Sequence, residues 1–96
     1  MTIDQIKQSI APVLNQYGVT YAGVFGSVAR GEDRSDSDVD ILITLKQPVS
    51  LLTFFALNDE LEGALRCKVD LVTENSLDAH VKPYALKDLQ TVYEAR

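Results

Sequence analysis

The chain has no tryptophan, and cysteine and histidine occur once each, as Cys67 and His80, in 96 residues. A lone thiol excludes an internal disulfide and fits a reducing compartment, so a cytoplasmic location is expected. No apolar run approaches the roughly 18 residues of a membrane span, so no membrane partner is expected. The opening MTIDQIKQ has no basic and then apolar stretch of the kind that marks a secretory leader. Basic residues are also scarce, 9 against 14 acidic ones, for a net charge of −5. A negative chain of this size is a poor lone binder of nucleic acid, because backbone phosphates demand a basic surface. Repeats, linkers and low-complexity tracts are missing too. With 46% hydrophobic and 24% charged residues the chain is neither disordered nor fibrous, and its length specifies one domain, residues 1–96.

What is present alternates between helical and extended patterns. Thr2-Ile3-Asp4-Gln5 matches a capping box, and Ile3, Ile6, Ile10, Val13, Leu14 and Tyr17 then follow helical spacing. Pro12 falls inside that stripe and predicts a kink or break near Ser9 and Ile10, while Gly18 closes the helix. Residues 19–25 are β-branched and aromatic, which reads as a strand. Gly26-Ser27 ends it, a helical turn is allowed over 28–30, and 32–37 is a polar loop. From Asp38 to Leu45 the pattern alternates, with Val39, Ile41, Ile43 and Leu45 on one face and Asp38, Asp40, Leu42 and Thr44 on the other. Ser50 caps a helix running to about Arg66, whose buried face is expected to carry Leu51, Phe54, Phe55, Leu57, Leu61, Ala64 and Leu65. A third strand covers 68–73. Beyond Ser76 the pattern is helical again, with Pro83 opening a final helix that carries Leu86, Leu89, Val92 and Tyr93. Three strands with helices on one side predict a small two-layer α/β domain around a mixed sheet.

The residues that speak of chemistry are Asp38, Asp40 and Asp70. Asp38 and Asp40 project from one strand face about 6.7 Å apart, and Asp70 sits between the apolar Val69 and Leu71 of another strand. If those strands are neighbours at about 4.8 Å, all three carboxylates converge. Two unit charges about 4 Å apart repel by about 4 kcal/mol at an effective dielectric of about 20, so such a cluster needs a compensating cation. Magnesium or manganese, hard ions that take oxygen ligands and bridge phosphates, suit it.

A D-x-D on its own reads as a solvated sheet face. The segment upstream changes that reading. Glycine at Gly26 permits a sharp turn, backbone N–H groups at a helix start attract phosphate, and the Ser27 hydroxyl adds a donor. Taken alone this is an ordinary turn with Ser27 as a helix cap; beside two carboxylates it makes a nucleoside triphosphate site. Two other motifs fail. Gly26 to Gly31 gives G-x-x-x-x-G, but Glu32-Asp33 stands where a P-loop needs Lys and Ser or Thr. The run from Asp36 to Asp40 starts like a calcium-binding loop, yet Ile41 replaces its glycine and Gln47 its closing glutamate.

Gly26-Ser27, ten intervening residues, Asp38-Val39-Asp40 and the later Asp70 together resemble the polymerase-β-type nucleotidyltransferases. The stretch from Phe25 to Leu42 is similar to the minimal nucleotidyltransferases of HEPN/MNT toxin–antitoxin pairs in particular. The resemblance implies a polymerase-β-type core and a two-metal transfer of a nucleoside monophosphate from a triphosphate, with ATP as substrate and two Mg2+ ions, Mn2+ being an alternative. It implies that Gly26 and Ser27 hold the triphosphate and that Asp38 and Asp40 ligate both ions. Asp70 would join the ion under the attacking oxygen and help remove the acceptor's proton. Arg30 is a candidate phosphate or partner contact, and Ser37 is expected to orient Asp38 or the loop.

One core of this length leaves little material for an acceptor-binding domain, so the acceptor is expected on a second molecule. The resemblance implies a HEPN-domain ribonuclease toxin, neutralised by AMP placed on one of its tyrosines. An acidic surface suits a basic, RNA-binding partner. Two alternatives stay open: an antitoxin that works by occlusion without turnover, and transfer to a small molecule or RNA. Of the remaining residues, His80 is expected at the surface and Cys67 as a small core residue. Tyr84 and Tyr93 could face a partner or the core, and Phe54 and Phe55 read as core.

Overall fold

The computed structural model describes residues 1–32, 38–80 and 82–95. Its first helix, α1 (Ile3–Gln16), starts at the expected capping box: Gln5 N–H donates to Thr2 Oγ1 at 3.1 Å and Thr2 N–H to Gln5 Oε1 at 2.9 Å. Ile6, Ile10 and Leu14 are fully buried from this helix. Pro12 does not break it. The helix is continuous through that residue, and both Pro12 and Gln8, whose carbonyl loses its i+4 donor, are exposed to water. Gly18, at φ +72°, ends the helix in the left-handed conformation that glycine adopts without cost.

β1 (Val19–Phe25) follows, then a single helical turn, α2 (Gly26–Ala29), and β2 (Val39–Leu45). α3 (Leu51–Leu65) is capped as expected by Ser50, whose hydroxyl accepts from Thr53 N–H at 3.1 Å. β3 (Val69–Thr73), a 3-10 turn (Glu74–Ser76), α4 (Lys82–Lys87) and β4 (Gln90–Glu94) complete the order. The four strands form one mixed sheet in the order β3-β2-β1-β4. β1 runs antiparallel to both β2 and β4, whereas β2 and β3 are parallel and joined through α3. That parallel step needs a crossover, which α3 supplies. α1 and α3 pack against each other and on one face of the sheet. Between them and the sheet lies the core, with Ile6, Ile10, Leu14, Val24, Ile41, Ile43, Leu57, Leu61 and Val92 almost completely removed from solvent. The two-layer α/β arrangement is therefore as expected.

Two further expectations fail. The closing helix is only α4; Val92 and Tyr93 belong to a fourth strand instead. The i, i+3, i+6 spacing of Leu86, Leu89 and Val92 fits a helix over so short a window, but Gln-Thr-Val-Tyr-Glu is also β-favouring, and an open edge of β1 decides the matter. On α3, Leu51 is 67% and Phe55 54% exposed, so neither joins the core, although Phe54, Leu57, Leu61 and Leu65 do. Cys67 is partly buried against the core, His80 is exposed, Tyr93 packs on the core and Tyr84 faces solvent.

Candidate active site

The face of the sheet opposite α1 and α3 carries the acidic residues. Alternation sends Val39, Ile41 and Ile43 into the core and turns Asp40 the other way; Val69 and Leu71 do the same for Asp70. Parallel pairing puts Asp40 and Asp70 directly in register. Asp38 immediately precedes β2. The adjacency on which the three-carboxylate reading depended is thus present for Asp40 and Asp70, and Asp38 is near enough for its charge to act on Asp40.

Asp40 is half-buried, whereas Asp38 and Asp70 are exposed. Burial, then the negative charges of Asp70 and Asp38 and a hydrogen bond to Asp70, pushes its carboxyl from 3.8 up to about 6. Arg30 opposes this: its positive charge pulls the same group down. Across the strand on the other side, Asp40 pairs with Phe25, the residue before Gly26. Gly26 has φ +75°, and a Cβ there would run into Asp40 Oδ2 and lie 3.2 Å from its Cγ. Glycine is required twice over, for the left-handed backbone and for the approach of the carboxylate. The turn at Gly26 therefore lies close against Asp40.

Ser27 lies inside α2 and is not its cap; that position is held by Phe25, with no side-chain hydrogen bond. The ordinary capping reading of Ser27 therefore fails. Arg30 follows the turn, donating from Nη1 to Asp88 Oδ2 at 2.8 Å and from Nε to Glu32 Oε2 at 3.1 Å. Ser37 lies outside the described residues. Sequence reasoning missed Asp88 and Gln90, whose amide donates to the Ala29 carbonyl at 2.6 Å. No spacing signal could have found them, since they meet α2 from 58 and 61 residues away.

Among the described residues no three His, Cys, Asp or Glu side chains form a preassembled cage for a metal ion. The donor chemistry nonetheless fits a hard divalent cation. A carboxylate whose proton affinity is raised by burial and by neighbouring acids is relieved by positive charge, and magnesium takes one or two carboxylates and completes its shell with water and phosphate oxygens. A cavity of about 800 Å³ lies elsewhere, lined by Leu45, Pro48, Leu51, Phe54, Leu71 and Ser76 among others, and none of the site residues borders it.

The family model described as polymerase beta, nucleotidyltransferase matches residues 8–96. The chain belongs to that family. It is a nucleotidyltransferase, and the four-stranded core around Gly26, Asp40 and Asp70 is the family's α/β fold. Protein adenylyltransferase MntA of Thermococcus cleftensis is 37% identical over 93 residues, covering 93% of this chain and 94% of that protein. A crystal structure of a toxin–antitoxin with AMP-PNP superposes with a TM-score of 0.80 at 21% identity, over 94% of this chain and 74% of the other. A tri-AMPylated Shewanella oneidensis HEPN toxin in complex with its MNT antitoxin gives a TM-score of 0.74 at 18% identity, over 98% of this chain and 74% of the other. Among the described residues no helix is long and apolar enough to cross a membrane.

Proposed function

We propose that this chain is an antitoxin adenylyltransferase that moves AMP from ATP to a tyrosine of a HEPN ribonuclease toxin. The observation that carries the reading is the in-register Asp40–Asp70 pair, with Asp40 close against the Gly26 turn. Family membership supports the transfer, and the relatives' names, adenylyltransferase and HEPN-bound antitoxin, support the acceptor class.

In this reading Gly26 and Ser27 receive the triphosphate tail through backbone N–H groups and the Ser27 hydroxyl, which the sharp turn holds beside the carboxylates. Asp38, Asp40 and Asp70 would hold magnesium, which supplies charge neutralisation on the attacking and leaving oxygens of an in-line displacement. Asp70, the exposed member in register with Asp40, would accept the proton of the tyrosine hydroxyl as its oxygen bonds to the α-phosphorus and pyrophosphate leaves. Ser37 would orient Asp38. Arg30 would meet the phosphates.

The test is transfer of labelled AMP from ATP, with magnesium, to the protein encoded beside this gene. Labelling of a tyrosine that disappears with Asp40→Asn is expected; an active variant or an unlabelled partner refutes the reading. A second reading, neutralisation by occlusion, draws on the exposed apolar Leu51, Leu52 and Phe55, which offer a partner contact away from the carboxylates. Stoichiometry separates the two: a catalyst protects many toxin molecules, an occluder one.

A further inference from the structure

The segment that follows α4 grips the Gly26–Arg30 turn at two points and β1 at a third. Asp88 Oδ2 accepts from Arg30 Nη1 at 2.8 Å, and Gln90 Nε2 donates to the Ala29 carbonyl at 2.6 Å. Between them, Leu89 packs over Gly23 of β1 so closely that a Cβ there would lie 2.6 Å from Leu89 Cδ1. α2 is a single turn with no side-chain cap of its own, so these long-range contacts restrain its C-terminal end.

Arg30 is thereby tied on both sides, to Glu32 beside it in sequence and to Asp88 across the fold. Those carboxylates take the Nε donor and one Nη1 donor of the planar guanidinium, and its other N–H groups can meet an anion. A long side chain fixed in this way loses less freedom when a phosphate arrives. We propose that Asp88 is a positioning residue for nucleotidyl transfer, aiming the Arg30 guanidinium at the triphosphate held by the Gly26–Ala29 turn. The inference rests on the proposed function, because it assumes that the turn receives ATP.

The Arg30 and Asp88 side chains are 43% and 27% exposed, so the pair contributes little to global stability and its loss leaves the fold intact. The experiment measures steady-state AMP transfer to the cognate toxin together with binding of a non-hydrolysable ATP analogue. Asp88→Asn is expected to raise KM for ATP and weaken analogue binding about tenfold, with kcat within about threefold and an unchanged thermal midpoint. Asp88→Glu, which keeps the anion, should stay within about threefold of the parent KM. Combining Arg30→Ala with Asp88→Asn should weaken binding no more than Arg30→Ala alone.

An unchanged KM in Asp88→Asn overturns the proposal. A lowered KM does so as well, because it would mean that Asp88 withholds Arg30 from phosphate. Full additivity in the double variant, or a raised KM in Asp88→Glu, has the same consequence. A parent protein that neither transfers AMP nor binds the analogue refutes the proposed function itself, and this inference falls with it. An active parent with an unaffected Asp88→Asn refutes the positioning role alone.

Discussion

Replacing Asp40 by Asn should inactivate the protein and stabilise it in the absence of metal. The carboxyl is pushed from 3.8 up to about 6, first by burial and then by Asp70 and Asp38. A group raised in the folded state favours folding only while it is protonated. Its contribution is complete below pH 3.8 and is lost as pH rises through about 6. Above that range the folded chain holds an ionised Asp40 against its neighbours, at a cost of at most about 3 kcal/mol. Partial solvent access screens this to about 1–2 kcal/mol. Asn keeps the shape and removes the charge. In EDTA at about pH 7.5, Asp40→Asn should therefore raise the melting temperature by about 5–10 °C. The difference should shrink as pH falls from about 6 through 3.8 and vanish below it, where the parent carboxyl is protonated in both states. Magnesium should stabilise the parent and leave the variant unmoved. Melting curves across that pH range, with and without the ion, decide the matter. An Asp40→Asn protein less stable than the parent at neutral pH, or with the same pH dependence, would refute the electrostatic account of the site.

Gly26→Ala places a methyl group against Asp40 Oδ2 on a backbone at φ +75°; it should cost about 1–2 kcal/mol in urea unfolding and lower AMP transfer at least about 100-fold. Leu61→Ala, from a side chain with no exposure, should cost about 2–5 kcal/mol, whereas Phe55→Ala should change stability by under about 0.5 kcal/mol. Equal costs for these two would contradict the placement of α3. Pro12→Ala restores a backbone donor inside α1 and should stabilise by about 1–3 kcal/mol; a loss on urea melts would show that the proline ring makes contacts the helix needs.

Local chemistry was enough to read α1, β1, β2, α3 and β3, because each carries its own period and its own punctuation. Thr2 with Gln5, Gly18 and Ser50 act within a few residues of themselves, so their roles survive any tertiary context. Asp40 and Asp70 took the expected face of the sheet for a related reason: strand alternation dictates which side a residue takes. The end of the chain was not legible. Leu86, Leu89 and Val92 satisfy a helical spacing as well as a strand, and pairing with β1 settled the choice by satisfying backbone groups that a helix would have left at the sheet edge.

Sequence alone determined the element types as far as β3 and the capping residues Thr2, Gly18 and Ser50, since these depend on interactions spanning a handful of positions. Tertiary structure decided three things: that β2 and β3 lie side by side in parallel, that Leu51 and Phe55 stay in water, and that Asp88 and Gln90 grip the turn after β1. Each of these joins groups distant along the chain, and no local periodicity encodes which distant surfaces meet when the core closes.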